Sequence, residues 1–317
     1  MKVSAAVVIA CTFGSSLVLA ACGSSAATRT PDPAPTVTLT PDDLTVWAPL
    51  PPDRSAIPVL LYHGIGPTSD FSNSTDAEYG VGEDDFAKQM TMMKHAGYQT
   101  VTLSTFLRFV NGEKVDLPPR PVLLTFDDGR ADSWTGADGI LAKLGFNAVM
   151  FVDVGRVDRH DPEYLTWQEL QEMQKSGRWQ LQLHAGDEGH QYIQYDSDPQ
   201  HTGPYYAYKK PGESFDHWRR RVRSDISNGQ RTLSRHIQGF EPLAFAPPFG
   251  AYGQQGTNDS RIPGDLLGWL EEQYEAVFTQ DRNARAHPGA EQPLGRIQVT
   301  RAVSGGDLHA RLLSGEQ

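Results

Sequence analysis

Thr125-Phe126-Asp127-Asp128-Gly129 sets two carboxylates side by side at the end of an apolar run, Pro121-Val122-Leu123-Leu124. Adjacent carboxylates repel, and half-buried ones also lose hydration. Gly129 allows a sharp turn, so both side chains can face one cleft instead of opposite faces of a strand. A bound cation resolves the repulsion by taking one carboxylate as ligand and leaving the other free as a base. The competing reading is a strand end with a solvated turn and an N-cap for the next helix.

Three further strand ends carry residues of the same kind. Leu60-Leu61-Tyr62 is followed by His63, and Gln180-Leu181-Gln182-Leu183 by His184. Ala185-Gly186-Asp187-Glu188-Gly189 then leads to His190, six residues on, a spacing that converges only if the glycine-containing loop folds back. Phe245-Ala246-Pro247-Pro248-Phe249-Gly250-Ala251-Tyr252 reads as a rigid, kinked strand end whose backbone amides can point into a cleft. Each alone fits a structural role. Together they supply one carboxylate and two imidazoles for a borderline metal such as Zn²⁺, with the second carboxylate left over. Three protein ligands plus an open position is a catalytic rather than a structural arrangement.

The elements that position these residues alternate. Strands are expected at 58–62, 100–103, 121–126, 147–152, 179–184, 242–246, 275–279 and 296–299. Helical spacing recurs over 84–95, 166–175 and 263–270, and from Phe215 through Trp218, Val222, Ile226, Leu233 and Ile237, with a bend or break at Asn228-Gly229. Alternating strand and helix argues for a parallel α/β sheet, and this many units argues for closure into a barrel with its active site at the strand ends. The chain of 317 residues accommodates one such domain plus a tail, and the formal charge of −11 disfavours nucleic acid as a partner.

Residues 1–21 read as a signal peptide: Lys2 is followed by an apolar stretch too short and interrupted to span a membrane. Leu19-Ala20-Ala21-Cys22 resembles a bacterial lipobox, which implies acylation of Cys22 and anchoring to the outer face of the cell membrane. Cys11 leaves with the signal peptide, so the mature chain has no internal disulfide. Residues 22–55, rich in Pro, Ser, Thr and Ala, read as a disordered tether, 56–312 as the folded domain and 313–317 as a tail.

Residues 56–312 resemble the polysaccharide deacetylases of carbohydrate esterase family 4, the NodB-homology domain. The resemblance rests on the strand ending Tyr62-His63, Ala96-Gly97-Tyr98, the Thr-Phe-Asp-Asp-Gly run, Trp167 and Pro248-Phe249-Gly250-Ala251-Tyr252. It implies a distorted (β/α)7 TIM-like barrel. It also implies Asp127 as general base and Asp128, His184 and His190 as metal ligands, with Asp187 or Glu188 as alternatives to His190. Phe249 would bind the oxyanion through its backbone amide, and Gly250 and Tyr252 would lie at the substrate. The arginine that orients the base in the family is replaced by Ala246, and Arg296 is the candidate substitute. His63 is the candidate general acid, by analogy with the branch of the family that begins with a Tyr-His strand.

The expected activity is removal of acetyl groups, foremost N-acetyl from N-acetylglucosamine units, from a peptidoglycan, exopolysaccharide or chitin-like polymer. Zn²⁺ is the expected metal, with Co²⁺, Ni²⁺ or Fe²⁺ as alternatives, and the protein is expected to be a monomer. An O-acetyl esterase and a tethered glycan-binding protein without catalysis are the alternatives. A phosphotransfer enzyme would want a phosphate-binding loop, and a glycosidase would separate its two carboxylates.

Overall fold

The computed structural model describes residues 28–67 and 77–316; the signal peptide and Cys22 lie outside them. A ring of parallel strands forms the centre: β1 Ile57–Tyr62, β2 Arg120–Phe126, β3 Ala148–Asp153, β4 Trp179–Ala185, β5 Ala244–Phe245, β6 Ala276–Thr279, β7 Leu294–Gly295 and β8 Ile297–Gln298. Neighbours in that order pair from β1 to β7, while β8 pairs back onto β1. Arg296 is thus the single residue between the two pairings that nearly close the sheet into a barrel.

β1, β2 and β3 are buried throughout, as strands covered on both faces must be. Side chains alternate between two cores. Ile57, Val59, Leu123, Val149, Phe151, Ala276 and Phe278 share the inner one. Leu60, Tyr62, Leu124, Phe126, Met150 and Val152 face the helices.

Among the described residues nine helices accompany the sheet: α1 Pro41–Val46, α2 Glu83–His95, α3 Leu103–Val110, α4 Ala131–Leu144, α5 Val154–Asp158, α6 Trp167–Lys175, α7 Phe215–His236, α8 Ile262–Gln273 and α9 Gly305–Ser314. α3 turns Phe106, Leu107 and Val110 into the inner core, with Phe106 5.8 Å from Phe278.

Several expectations shift. The segment 100–103 is not a strand: pairing covers Tyr98–Thr100, and Thr102 caps α3 by accepting from the Thr105 N–H. The strand at 242–246 contracts to Ala244–Phe245. α7 runs unbroken through Asn228-Gly229. Gly229 is there for close approach, since a Cβ on it would lie 2.9 Å from Gly186 Cα.

The largest correction concerns 28–55, which is a docked strap rather than a disordered tether. Arg29 donates to Glu169 (3.0 Å) and to the Tyr164 carbonyl, and the Asp32 N–H donates to the Thr135 carbonyl. Trp47 is 1% exposed and packs on His309, 4.7 Å between ring centroids. Sparse apolar residues in a Pro-rich segment, here Ala34, Val37, Leu39, Trp47 and Leu50, suffice to hold it on the outer core. At the other end α9 extends the folded part through Ser314.

Candidate active site and metal centre

Strand register assembles the site. Tyr62 pairs with Phe126, so His63 and Asp127 leave the sheet side by side. Phe245 pairs with Leu183, which sets Ala246 beside His184. Leu61 pairs with Gln298, which brings Arg296 back to the first two strands.

Asp127 and Arg296 are 1% and 0% exposed. Arg296 Nη1 and Nη2 donate to the two carboxylate oxygens of Asp127, both at 2.7 Å. The guanidinium also lies over Phe151 and Phe278, 5.5 and 5.9 Å from their ring centroids. Burial alone would push the Asp127 carboxyl up, but the Arg296 charge and neighbouring His184 outweigh it and hold the group below its usual range. Arg296, the candidate substitute, thus does reach Asp127.

Asp128 and Gly129 both adopt left-handed backbone, φ 76° and 77°. A carboxylate residue there is strained, and the strain is held by the Asp153 N–H donating to the Asp128 carbonyl at 3.1 Å. The consequence is that Asp128 points away from Asp127 toward the imidazoles. Its Oδ1 lies 3.4 Å from His184 Nε2 and 3.3 Å from His190 Nε2. Nδ1 of His184 donates to the Ala246 carbonyl at 2.7 Å, which fixes the ring and turns Nε2 to the cluster.

The six-residue spacing does converge: one ligand atom each from Asp128, His184 and His190 lie within 4.8 Å of one another. Asp187 instead faces outward and pairs with Arg159 at 2.7 Å, and Glu188 accepts from Gln191 at 2.7 Å. One carboxylate oxygen and two imidazole nitrogens in a mostly buried pocket fit a borderline divalent ion.

A cavity of about 650 Å³ opens above this cluster, lined among others by His63, Tyr79, Asp127, Asp128, Arg130, His184, His190, Tyr192 and Phe249. His63 is half-buried, 5.3 Å from the Tyr79 ring, and burial pushes its imidazole pKa down. Its Nδ1 has no hydrogen-bond partner among the described residues. His309 packs at a tilt against Trp47 and does not line the cavity.

Phe249 also has left-handed backbone, φ 61°, and stacks on His190 at 4.7 Å. The chain then alternates, so Phe249 and Ala251 line the cavity. Gly250 and Tyr252 turn away. The expectation of substrate contact at these two residues is therefore corrected: Tyr252 is 5% exposed and packs in the outer core. Among the loop tyrosines, Tyr205 and Tyr206 are buried, whereas Tyr192 and Tyr208 line the cavity. Tyr192 lies edge-on to Phe249 at 4.7 Å.

Asp153 belongs to no motif in the sequence. It ends β3 as Asp127 follows β2, and a strand extended by one residue would have found it. Oδ1 accepts from the Arg156 N–H at α5, while Oδ2 lies 4.0 Å from His190 Nδ1, and burial pushes the carboxyl up to about 6. Arg130, Gln280 and Gln298 are further lining residues without a motif to announce them.

Residues 114–261 match the family described as polysaccharide deacetylase. Over 121 residues the chain is 31% identical to poly-beta-1,6-N-acetyl-D-glucosamine N-deacetylase of Staphylococcus aureus, covering 37% of this chain and 41% of that protein. The alignment thus spans well under half of that relative. The structure of IcaB from Ammonifex degensii superposes with a TM-score of 0.62 at 25% identity, over 82% of this chain and 98% of the other. A de-N-acetylase from Aggregatibacter actinomycetemcomitans has the same fold, with a TM-score of 0.68 at 19% identity over 80% and 99% of the two chains. With the distorted (β/α)7 barrel, the strand-end carboxylate pair and these matches in agreement, residues 114–261 are identified as a polysaccharide deacetylase domain.

Proposed function

We propose that the protein is a metal-dependent hydrolase that removes N-acetyl groups from N-acetylglucosamine units of an extracytoplasmic polysaccharide, held at the cell membrane through an acylated Cys22. The observation that carries the reading is the separation of roles in the acidic pair. Asp127 is clamped by Arg296, while Asp128 is turned by its left-handed backbone onto two imidazoles. The name of the Staphylococcus aureus relative supports N-acetylglucosamine as the unit.

A divalent ion held by Asp128, His184 and His190 would supply Lewis-acid polarisation of the acetyl carbonyl and ready ionisation of water. The chain's own residues do the rest. Asp127, kept ionised by Arg296, accepts the proton of the attacking water. The backbone amide of Phe249 is the candidate donor to the carbonyl oxygen as charge develops there. As the carbon–nitrogen bond breaks, His63 gives a proton to the departing amine, leaving acetate and a free amino sugar. The exposed face of Tyr192, beside Phe249, offers a sugar ring a stacking surface next to the acetyl site.

The test is acetate release from poly-N-acetylglucosamine, chitooligosaccharides, peptidoglycan and acetylxylan, with and without chelator. Release from N-acetylated polymers that chelator abolishes is expected. Release from acetylxylan alone would replace the amide reading with an ester one. Bound metal with no release from any polymer would favour a glycan-binding protein.

A further inference from the structure

His184 and His190 stand six residues apart, so the loop between them must fold back to bring both rings to Asp128. One buried side chain accounts for that fold. Asp225, on α7 and 7% exposed, accepts from the Gly186 N–H through Oδ2 at 3.2 Å and from the Glu188 N–H through Oδ1 at 2.9 Å. Tyr206, 1% exposed, donates its hydroxyl to Asp225 Oδ2 at 2.6 Å, and the same hydroxyl oxygen lies 3.4 Å from the Gly186 nitrogen. From the opposite side the Gly155 N–H donates to the Gly186 carbonyl at 3.0 Å.

The loop can approach this closely only because its contact points lack side chains. A Cβ at Gly186 would lie 2.2 Å from the Asp225 carbonyl oxygen, and one at Gly189 would lie 2.0 Å from the Tyr206 hydroxyl. Neither Asp225 nor Tyr206 lines the cavity, so the chemistry itself leaves this buried carboxylate unused.

We propose that Asp225 and Tyr206 are a positioning pair that holds the 185–190 loop folded with His190 Nε2 facing Asp128, and that this clamp sets the affinity of the site for its divalent ion. The inference rests on Asp128, His184 and His190 being the ligands. A loop that carries two of three ligands and is ordered in advance spares ion binding the cost of ordering it. Outer partners of metal ligands are worth roughly ten- to a hundredfold in affinity.

Zn²⁺ affinity, measured by competition with a chromophoric chelator, tests this on the full folded domain, with Tm recorded for each variant. Asp225→Asn should bind Zn²⁺ roughly ten- to a hundredfold more weakly than wild type, and Tyr206→Phe should show a smaller loss of the same sign. Excess Zn²⁺ should restore kcat of Asp225→Asn with KM for the glycan unchanged. A lowered Tm with wild-type Zn²⁺ affinity in Asp225→Asn would make the pair merely structural and overturn the proposal. If Asp225→Asn does not fold, Tyr206→Phe decides in the same terms. Asp128→Ala separates the two readings. Its loss of binding supports the ligand set, whereas a wild type that binds no Zn²⁺, or an Asp128→Ala that binds normally, removes the ligand reading and the clamp with it.

Discussion

Arg296 and Asp127 are 169 residues apart in the chain and meet through two 2.7 Å hydrogen bonds inside the barrel. Both are almost fully buried, so each neutralises a charge that the site could not otherwise hold. Arg296→Gln strands the carboxylate and should cost about 3–5 kcal/mol of stability. The sign of its pH effect follows from the depressed Asp127 pKa. The ionised base is lost as pH falls through that pKa, and removing the guanidinium raises it. The acid limb of kcat/KM should therefore move to higher pH, as a pH–rate profile will show. Arg296→Lys retains the charge without the planar fork and should shift the limb less.

The proposed function gives the neighbours Asp127 and Asp128 separate tasks. Asp127→Asn should reduce acetate release by at least ~10²-fold while metal content, read by elemental analysis, stays at the wild-type level. Asp128→Ala should lose both. Release that survives Asp127→Asn would remove Asp127 as base.

Chelator should abolish release by the wild type, and added Zn²⁺ or Co²⁺ should restore it. Asp128→Ala should remain inactive under the same additions. Activity undiminished in metal-free buffer would contradict the role assigned to the cluster.

His63 lines the cavity, and burial disfavours its charged form. The protonated acid disappears as pH rises through a pKa below the usual histidine value, so this group shapes the alkaline limb of the kcat profile. His63→Ala should lower kcat by roughly 10²–10⁴-fold and flatten that limb, with Zn²⁺ affinity unchanged. An unaltered alkaline limb would assign the proton to another group.

Trp47 ties the strap under α9. Trp47→Ala should cost about 3–5 kcal/mol, visible as a lower Tm, with kcat near wild type well below the transition. An unchanged Tm would mean that the strap contributes nothing to the fold.

The carboxylate pair and the strands around it were legible because a strand buried on both faces writes itself as an unbroken apolar run, and the polar residues that end it stand out. Arg296 was legible only as a candidate. Its role depends on the last strand returning to the first, which no local pattern states. The convergence of His184 and His190 was open for the reverse reason: the glycines permit many loop paths, and the groups that select one, Asp225 and Tyr206, lie on elements with no spacing relation to it. Tyr252 followed the motif, but the left-handed turn at Phe249 fixed which alternate residues face the cavity. The strap was misread because composition averages over position, and one tryptophan at the right place outweighs many prolines.

Arg296 sits at the junction where the ring of strands shuts. A chain still on the ribosome, or one truncated before residue 296, has both aspartates and all three candidate ligands but no partner for its base. On the proposed assignment the barrel thus carries its own completion check: the proton acceptor is armed by the same residue that joins the end of the sheet to its beginning, so a chain that stops short of Arg296 should release no acetate.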